Sequence, residues 1–174
     1  SVKESPSFDG PDTRDTRGTQ VYSLSSFNVS ASIYEATSTY TAEQQGSYFF
    51  DESFSPSTST GYYWPSASYK LSFYAYSPAG DGNFTLSSTA TTVGSPVYAY
   101  TVPTTVSQQV DILTAQVTDH LGGAQGALTL PFAHRCAAIK VNFTNDGEND
   151  LTVKSVSITG VKYAGTLQNT TWTL

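Results

Sequence analysis

Between residues 139 and 144, apolar and polar side chains alternate strictly, Ile139, Val141 and Phe143 against Lys140, Asn142 and Thr144. Side chains of an extended chain point to opposite faces with a period of two, so this stretch predicts a half-buried β-strand. Asn145-Asp146-Gly147 follows as a turn, since these residues tolerate positive φ. The return limb carries Leu151 and Val153, then Val156 and Ile158, a one-residue slip that a β-bulge near Lys154-Ser155 would absorb. Residues 136–161 therefore predict a β-hairpin. Phe27, Val29, Ala31 and Ile33 alternate in the same way within a strand predicted from Val21 to Tyr34. Tyr48 to Phe54, Tyr69 to Tyr76, Val97 to Val102 and Val110 to Val117 read as further strands, and Ala127 to Phe132 as a short one broken near Pro131. Strand signals recur about every ten residues and helical periodicity is nearly absent. The predicted fold is all-β, an antiparallel β-sandwich.

Composition narrows what such a sandwich can do. Of 174 residues only 13% are charged, with 8 Lys+Arg against 14 Asp+Glu, a net charge of −6. Counting the sequence gives 24 Ser and 25 Thr beside 12 Tyr and 9 Phe. The surface is therefore neutral-polar, unlike the usual quarter of charged residues. Phosphate binding needs clustered Lys and Arg, so a nucleic-acid partner is excluded. The length fits one domain, and a single cysteine, Cys136, excludes an internal disulfide framework. The chain holds no methionine, so Ser1 is not a translation start and a processed or excised piece of a longer protein is expected.

Charge is also unevenly placed. Lys3, Glu4, Asp9, Asp12, Arg14, Asp15 and Arg17 crowd the first 17 residues, whereas residues 53–110 hold only Lys70 and Asp81. With Pro6, Gly10 and Pro11 and no apolar period, residues 1–19 predict a flexible leader, and residues 20–174 the sandwich.

Candidate chemistry is sparse. His134 and Cys136 share a strand face at i, i+2, but two ligands do not make a metal site, and His120 has no partner at ligand spacing. No Gly-x-Ser-x-Gly elbow is present, and Asp51-Glu52 would point to opposite faces rather than form an acid/base pair. The acidic run Asp146 to Asp150 lacks the ligand ladder of a calcium loop and reads as a solvated turn. Neither catalytic residues nor a cofactor nor a metal is therefore expected. Tyr62-Tyr63-Trp64 is the sharpest aromatic cluster. Exposed, it would stack on sugar rings or contact another subunit. Buried, it would plug one end of the sandwich, which the need to cover Leu71, Phe73 and Ala75 favours.

Several stretches, taken in order, resemble one family, the fimbrillins and fimbrillin-like pilus subunits of Bacteroidetes. They are Thr16-Arg17-Gly18-Thr19 with the strand after it, Tyr63-Trp64-Pro65 followed by Leu71 to Pro78, Val110 to Ala115, Leu130 to Val141, and Val153 to Val161. The resemblance covers the chain from residue 16 onward. It implies a transthyretin-like β-sandwich, the amino-terminal domain of a longer two-domain protein. It also implies a type V pilus subunit at the cell surface, held at the outer membrane through a lipid on an upstream Cys that this chain does not contain. An arginine-specific protease would cut near the first strand, and a strand from another subunit would fill the groove so exposed. The matching cleavage candidate is Arg17 before Gly18, with Arg14 second, although these arginines could equally be a solubilising tail. Two other readings use the same sandwich: a surface adhesin or tip protein gripping a glycan or host ligand through Tyr62, Tyr63 and Trp64, and an enzyme accessory module.

Overall fold

β-Branched and aromatic runs become strands here because each is covered on at least one face. The computed structural model describes residues 24, 26–37, 46–55, 62–86, 94–123, 127–139 and 141–174. Five strands, β1 (Phe27–Glu35), β2 (Ser47–Phe54), β3 (Tyr69–Ser77), β6 (Leu113–Leu121) and β7 (Ala133–His134), form one sheet in the order β2-β1-β3-β6-β7. Four more, β4 (Phe84–Leu86), β5 (Val97–Thr101), β8 (Ala164–Gln168) and β9 (Thr171–Thr173), form a second sheet in the order β4-β5-β8-β9. Every pairing is antiparallel, and the sheets pack as the antiparallel β-sandwich that the sequence predicts. One 3-10 turn, Val106–Gln108, is the only helical element among the described residues.

Register assigns each side chain to a face. Val29 lies opposite Ala75, and Ala31 opposite both Phe73 and Phe50. These residues share one face of the larger sheet and form a core with Leu71 and Ala115, roofed by Leu24, Leu130 and Phe132 from loops. On the opposite face, Tyr76 meets Phe84 and Tyr98 at ring-centroid distances of 5.3 and 5.2 Å. A second core grows there from Tyr98, Tyr100, Ile112 and Leu167. Such ring contacts contribute about 0.5–1.5 kcal/mol each beyond their buried area. Residues 71–75 of β3 are buried without interruption because both faces of that strand are covered.

The second core makes the fold sensitive to alkali. Burial pushes the Tyr98 hydroxyl far above its ordinary value of 10.0 and the Tyr100 hydroxyl up to about 12. A tyrosine whose folded pKa exceeds its unfolded one stabilises the protein fully below pH ~10, and that stability is lost as pH climbs toward the folded value. The thermal midpoint should therefore fall steadily between about pH 10 and 12. Tyr98→Phe should flatten that slope in a pH series of thermal melts, and an unchanged slope would remove Tyr98 as its source.

Three sequence expectations are corrected. The predicted strand from Val110 begins instead at Leu113, because Ile112 dips into the second core, where it is fully buried. Residues 127–132 form no strand; Leu130 and Phe132 instead roof the first core. Most telling, the hairpin predicted over 136–161 is not seen: its described residues lie in no strand, and Ile139, Leu151 and Val153 are 63%, 75% and 53% exposed. Two strands alone are at best marginally stable in water, and among the described residues no third strand pairs with these limbs. The predicted start at Val21 lies outside the described residues, and the strand is seen from Phe27.

Candidate functional site

The aromatic segment 62–64 is anchored by backbone. Gly122 N–H donates to Tyr69 O at 2.7 Å and Gly123 N–H to Pro65 O at 2.5 Å, which ties the loop to the end of β6. Gly123 sits at φ +72, a left-handed conformation that glycine adopts freely. Held in this way, Tyr62 stacks on Phe50 with ring centroids 4.2 Å apart and planes 20° apart. Its hydroxyl donates to Glu52, and that bond pushes the phenol pKa up to about 12. Trp64 meets Phe73 edge-on at 6.0 Å and the His120 ring at 4.7 Å. Trp64 thus packs against the first core, whereas Tyr62, although stacked on Phe50, is 40% exposed and Tyr63 91%.

The other candidate residues have local roles. His134 Nδ1 lies 2.5 Å from Asp111 Oδ2 rather than sharing a ligand with Cys136, which is half-buried against the second core. Arg135 fastens β7 in place: its N–H donates to Ile112 O at 2.8 Å, its Nε to Thr114 Oγ1 at 2.5 Å, and its carbonyl accepts the Trp172 indole N–H at 2.8 Å. The acidic run is an exposed turn, closed by Gly147 N–H donating to Asn145 Oδ1 at 3.0 Å. Among the described residues no group of His, Cys, Asp or Glu could hold a metal ion, and no helix is long and apolar enough to cross a membrane. Arg14, Arg17 and Gly18 lie outside the described residues.

What stands out structurally is unpaired β-edge. β2 is the outermost strand of the larger sheet and has no described outer neighbour. β6 is paired on its outer side at Leu113 and Thr114, and among the described residues no strand pairs with the rest of that side. Between β7 and β8 the described residues 137–139 and 141–162 lie in no strand, and the chain rejoins the body where Val102 N–H donates to Tyr163 O at 2.8 Å. Full burial of a side chain such as the exposed Ile139 or Leu151 is worth roughly 1.5–3 kcal/mol, which these residues forgo here.

The whole of this two-sheet body, with the segment between β7 and β8, is matched by one family model, described as fimbrillin-like, over residues 13–174. The chain belongs to the fimbrillin-like family. Fimbrillin-like proteins are structural subunits of cell-surface pili, so the site to be sought in this one is a contact with other subunits rather than an active centre. Searches among curated proteins and among solved structures returned no significant match. In this fimbrillin-like domain the described residues of the predicted 136–161 hairpin form no strand, because strict alternation records a strand's faces and not its pairing. The ion pair of Lys70 with Asp119 (3.2 Å) and the Tyr34 hydroxyl donating to that carboxylate (3.0 Å) had no local sequence signal, since their residues lie 49 and 85 positions apart.

Proposed function

We propose that this chain is the amino-terminal, transthyretin-like sandwich of a pilus subunit that polymerises by strand exchange. In this reading, residues 1–19 are a leader, the precursor reaches the outer membrane on a lipid attached to an upstream Cys, and an arginine-specific protease cuts after Arg17 or Arg14. The open outer edge of β2 carries the reading, because a bare strand offers unpaired N–H and C=O groups to an incoming strand. Membership of a pilus family supplies the partner, other subunits of the same pilus.

The test is protease treatment of the full precursor, followed by size analysis of the products. Wild type should convert to high-molecular-weight polymer, and an Arg14→Ala, Arg17→Ala double variant should stay monomeric. Normal assembly of that variant would make cleavage in this leader irrelevant. Of the three aromatics in the adhesin reading, Tyr63 and Tyr62 are exposed, Tyr62 with one face stacked on Phe50, while Trp64 is packed edge-on against Phe73.

A further inference from the structure

We propose that the cleft beside Arg135, where the two sheets meet, is a binding site for a carboxylate group held on the Arg135 guanidinium. The site lies apart from the open strand edges, so the inference stands whether or not subunits exchange strands.

Strand register builds the cleft. Tyr74 of β3 lies opposite Gln116 of β6, and Tyr76 opposite Thr114. Directly opposed residues share a sheet face, as do residues two apart. These four side chains therefore look toward the second sheet, where Tyr76 meets Tyr98. Arg135 follows β7 directly, and its N–H bond to Ile112 O carries the β6–β7 register one step further. That step puts the Arg135 side chain on the same face, where its Nε donates to Thr114 Oγ1 at 2.5 Å. The second sheet supplies the other wall. Ser95 ahead of β5 and Asn169 in the β8–β9 turn are joined there, the Ser95 hydroxyl donating to Asn169 Oδ1. The cleft measures about 250 Å³ with its open mouth, and its inner part has room for a group about the size of a water molecule.

Donors outnumber acceptors in this cleft. Among the described residues the guanidinium makes only the bond to Thr114 and joins no ion pair. Asp111 pairs with His134 instead. The polar residues that line the cleft beside Arg135 are Tyr74, Ser95, Thr114, Gln116 and Asn169, and none is an acid. Since Asn169 Oδ1 is engaged, that amide has its N–H donors left to give. Burial lowers the Arg135 pKa, and no carboxylate offsets the loss of water. A partly buried cation without a counter-charge is costly. Acids are not scarce in this chain, with 14 Asp+Glu against 8 Lys+Arg, yet none is placed here. An anion from outside would supply what the fold withholds.

A carboxylate suits the cleft better than other anions. The guanidinium keeps its fork of N–H groups free once Nε is spent on Thr114, and that fork matches the two oxygens of a planar carboxylate. A phosphate dianion would bring a second negative charge to a site with one cation, on a chain of net charge −6. The inner room takes the carboxylate head and leaves its carrier outside. The carrier is either a free small acid or an acidic side chain presented by another protein.

Titration of the 174-residue chain with sodium acetate tests the site, with ionic strength held constant by sodium chloride. The side-chain amide NMR signals of Gln116 and Asn169 should shift and saturate, and acetate should raise the thermal midpoint above that in chloride alone. Shifts that stay linear, or that chloride produces equally, overturn the proposal. Arg135→Gln should weaken binding by roughly tenfold or more, the worth of a charge-assisted pair. Gln116→Glu covers the case in which that variant fails to fold, because Gln116 is exposed. A carboxylate at that position should satisfy Arg135 from within, raise the midpoint and abolish acetate binding; undiminished binding overturns the proposal. Phosphate at the same ionic strength should bind more weakly than acetate, and tighter phosphate binding overturns the choice of a carboxylate. A capped Gly-Glu-Gly tripeptide separates the two carriers. Binding tighter than acetate marks an acidic side chain of a partner, and binding no tighter marks a free small acid.

Discussion

Leu71→Ala should lower the stability of this domain by about 2–5 kcal/mol, the cost of deleting a fully buried leucine and leaving a cavity. Leu71 is 0% exposed and sits in β3, opposite Ile33 of β1 and His120 of β6, so three strands of the larger sheet line the vacated space. In a domain of this size each kcal/mol shifts the thermal midpoint by about 2–4 °C. Leu167→Ala, equally buried in the second core, should lose a comparable amount. Because β3 contributes to both cores, melts followed by far-UV circular dichroism and by tryptophan fluorescence should coincide for both variants. Two separated transitions would show that the sheets unfold independently, and a loss below 1 kcal/mol at Leu71 would show that the first core closes over the gap.

Gly122→Ala should be the most damaging conservative change near the aromatic segment. A Cβ there would press into Ser66 O and lie 2.9 Å from both Pro65 O and Tyr69 O. All three neighbours are backbone, so the loop must move as a unit and the bonds from Gly122 and Gly123 to Tyr69 and Pro65 are lost or stretched. Net worth near 1 kcal/mol per hydrogen bond, together with the displaced packing, places the loss at roughly 2–4 kcal/mol. Trp64 should leave Phe73 and His120, so its fluorescence should shift to the red even in the folded variant. Gly80→Ala is the control: no atom would lie within 4 Å of the added Cβ, and only the strain of a residue at φ +79 remains. Equal spectral change in both variants would detach Trp64 from this anchor.

Much of the fold was legible wherever alternation coincided with intrachain burial. Phe27, Val29 and Ala31 predicted their strand and its inward face, and β2, β3 and β5 fell within one residue of the runs read from the sequence. Boundaries failed where tertiary contact outweighed pattern, as at Ile112, which reads as strand but fills the second core. The hairpin over 136–161 failed for a different reason. A period of two tells which faces a strand would present and not whether it pairs, so Ile139, Val141 and Phe143 carry no mark of pairing. At the candidate site the packing of Trp64 followed from the apolar residues needing cover, whereas the exposure of Tyr62 and Tyr63 depended on a loop geometry that Gly122 and Gly123 reveal.

The strand pairing of β5 with β8 spans the whole segment between β7 and β8, because Tyr98 faces Leu167 while the described residues 137–139 and 141–162 lie in no strand. The entropy of closing a flexible loop grows only logarithmically with its length, by about 0.6 kcal/mol per doubling. Halving or doubling this excursion would hardly disturb the sandwich. Its length and side chains are thus free to drift in evolution under a pressure that the domain's own stability does not exert, and a family sharing this body can diversify its contacts without refounding its core.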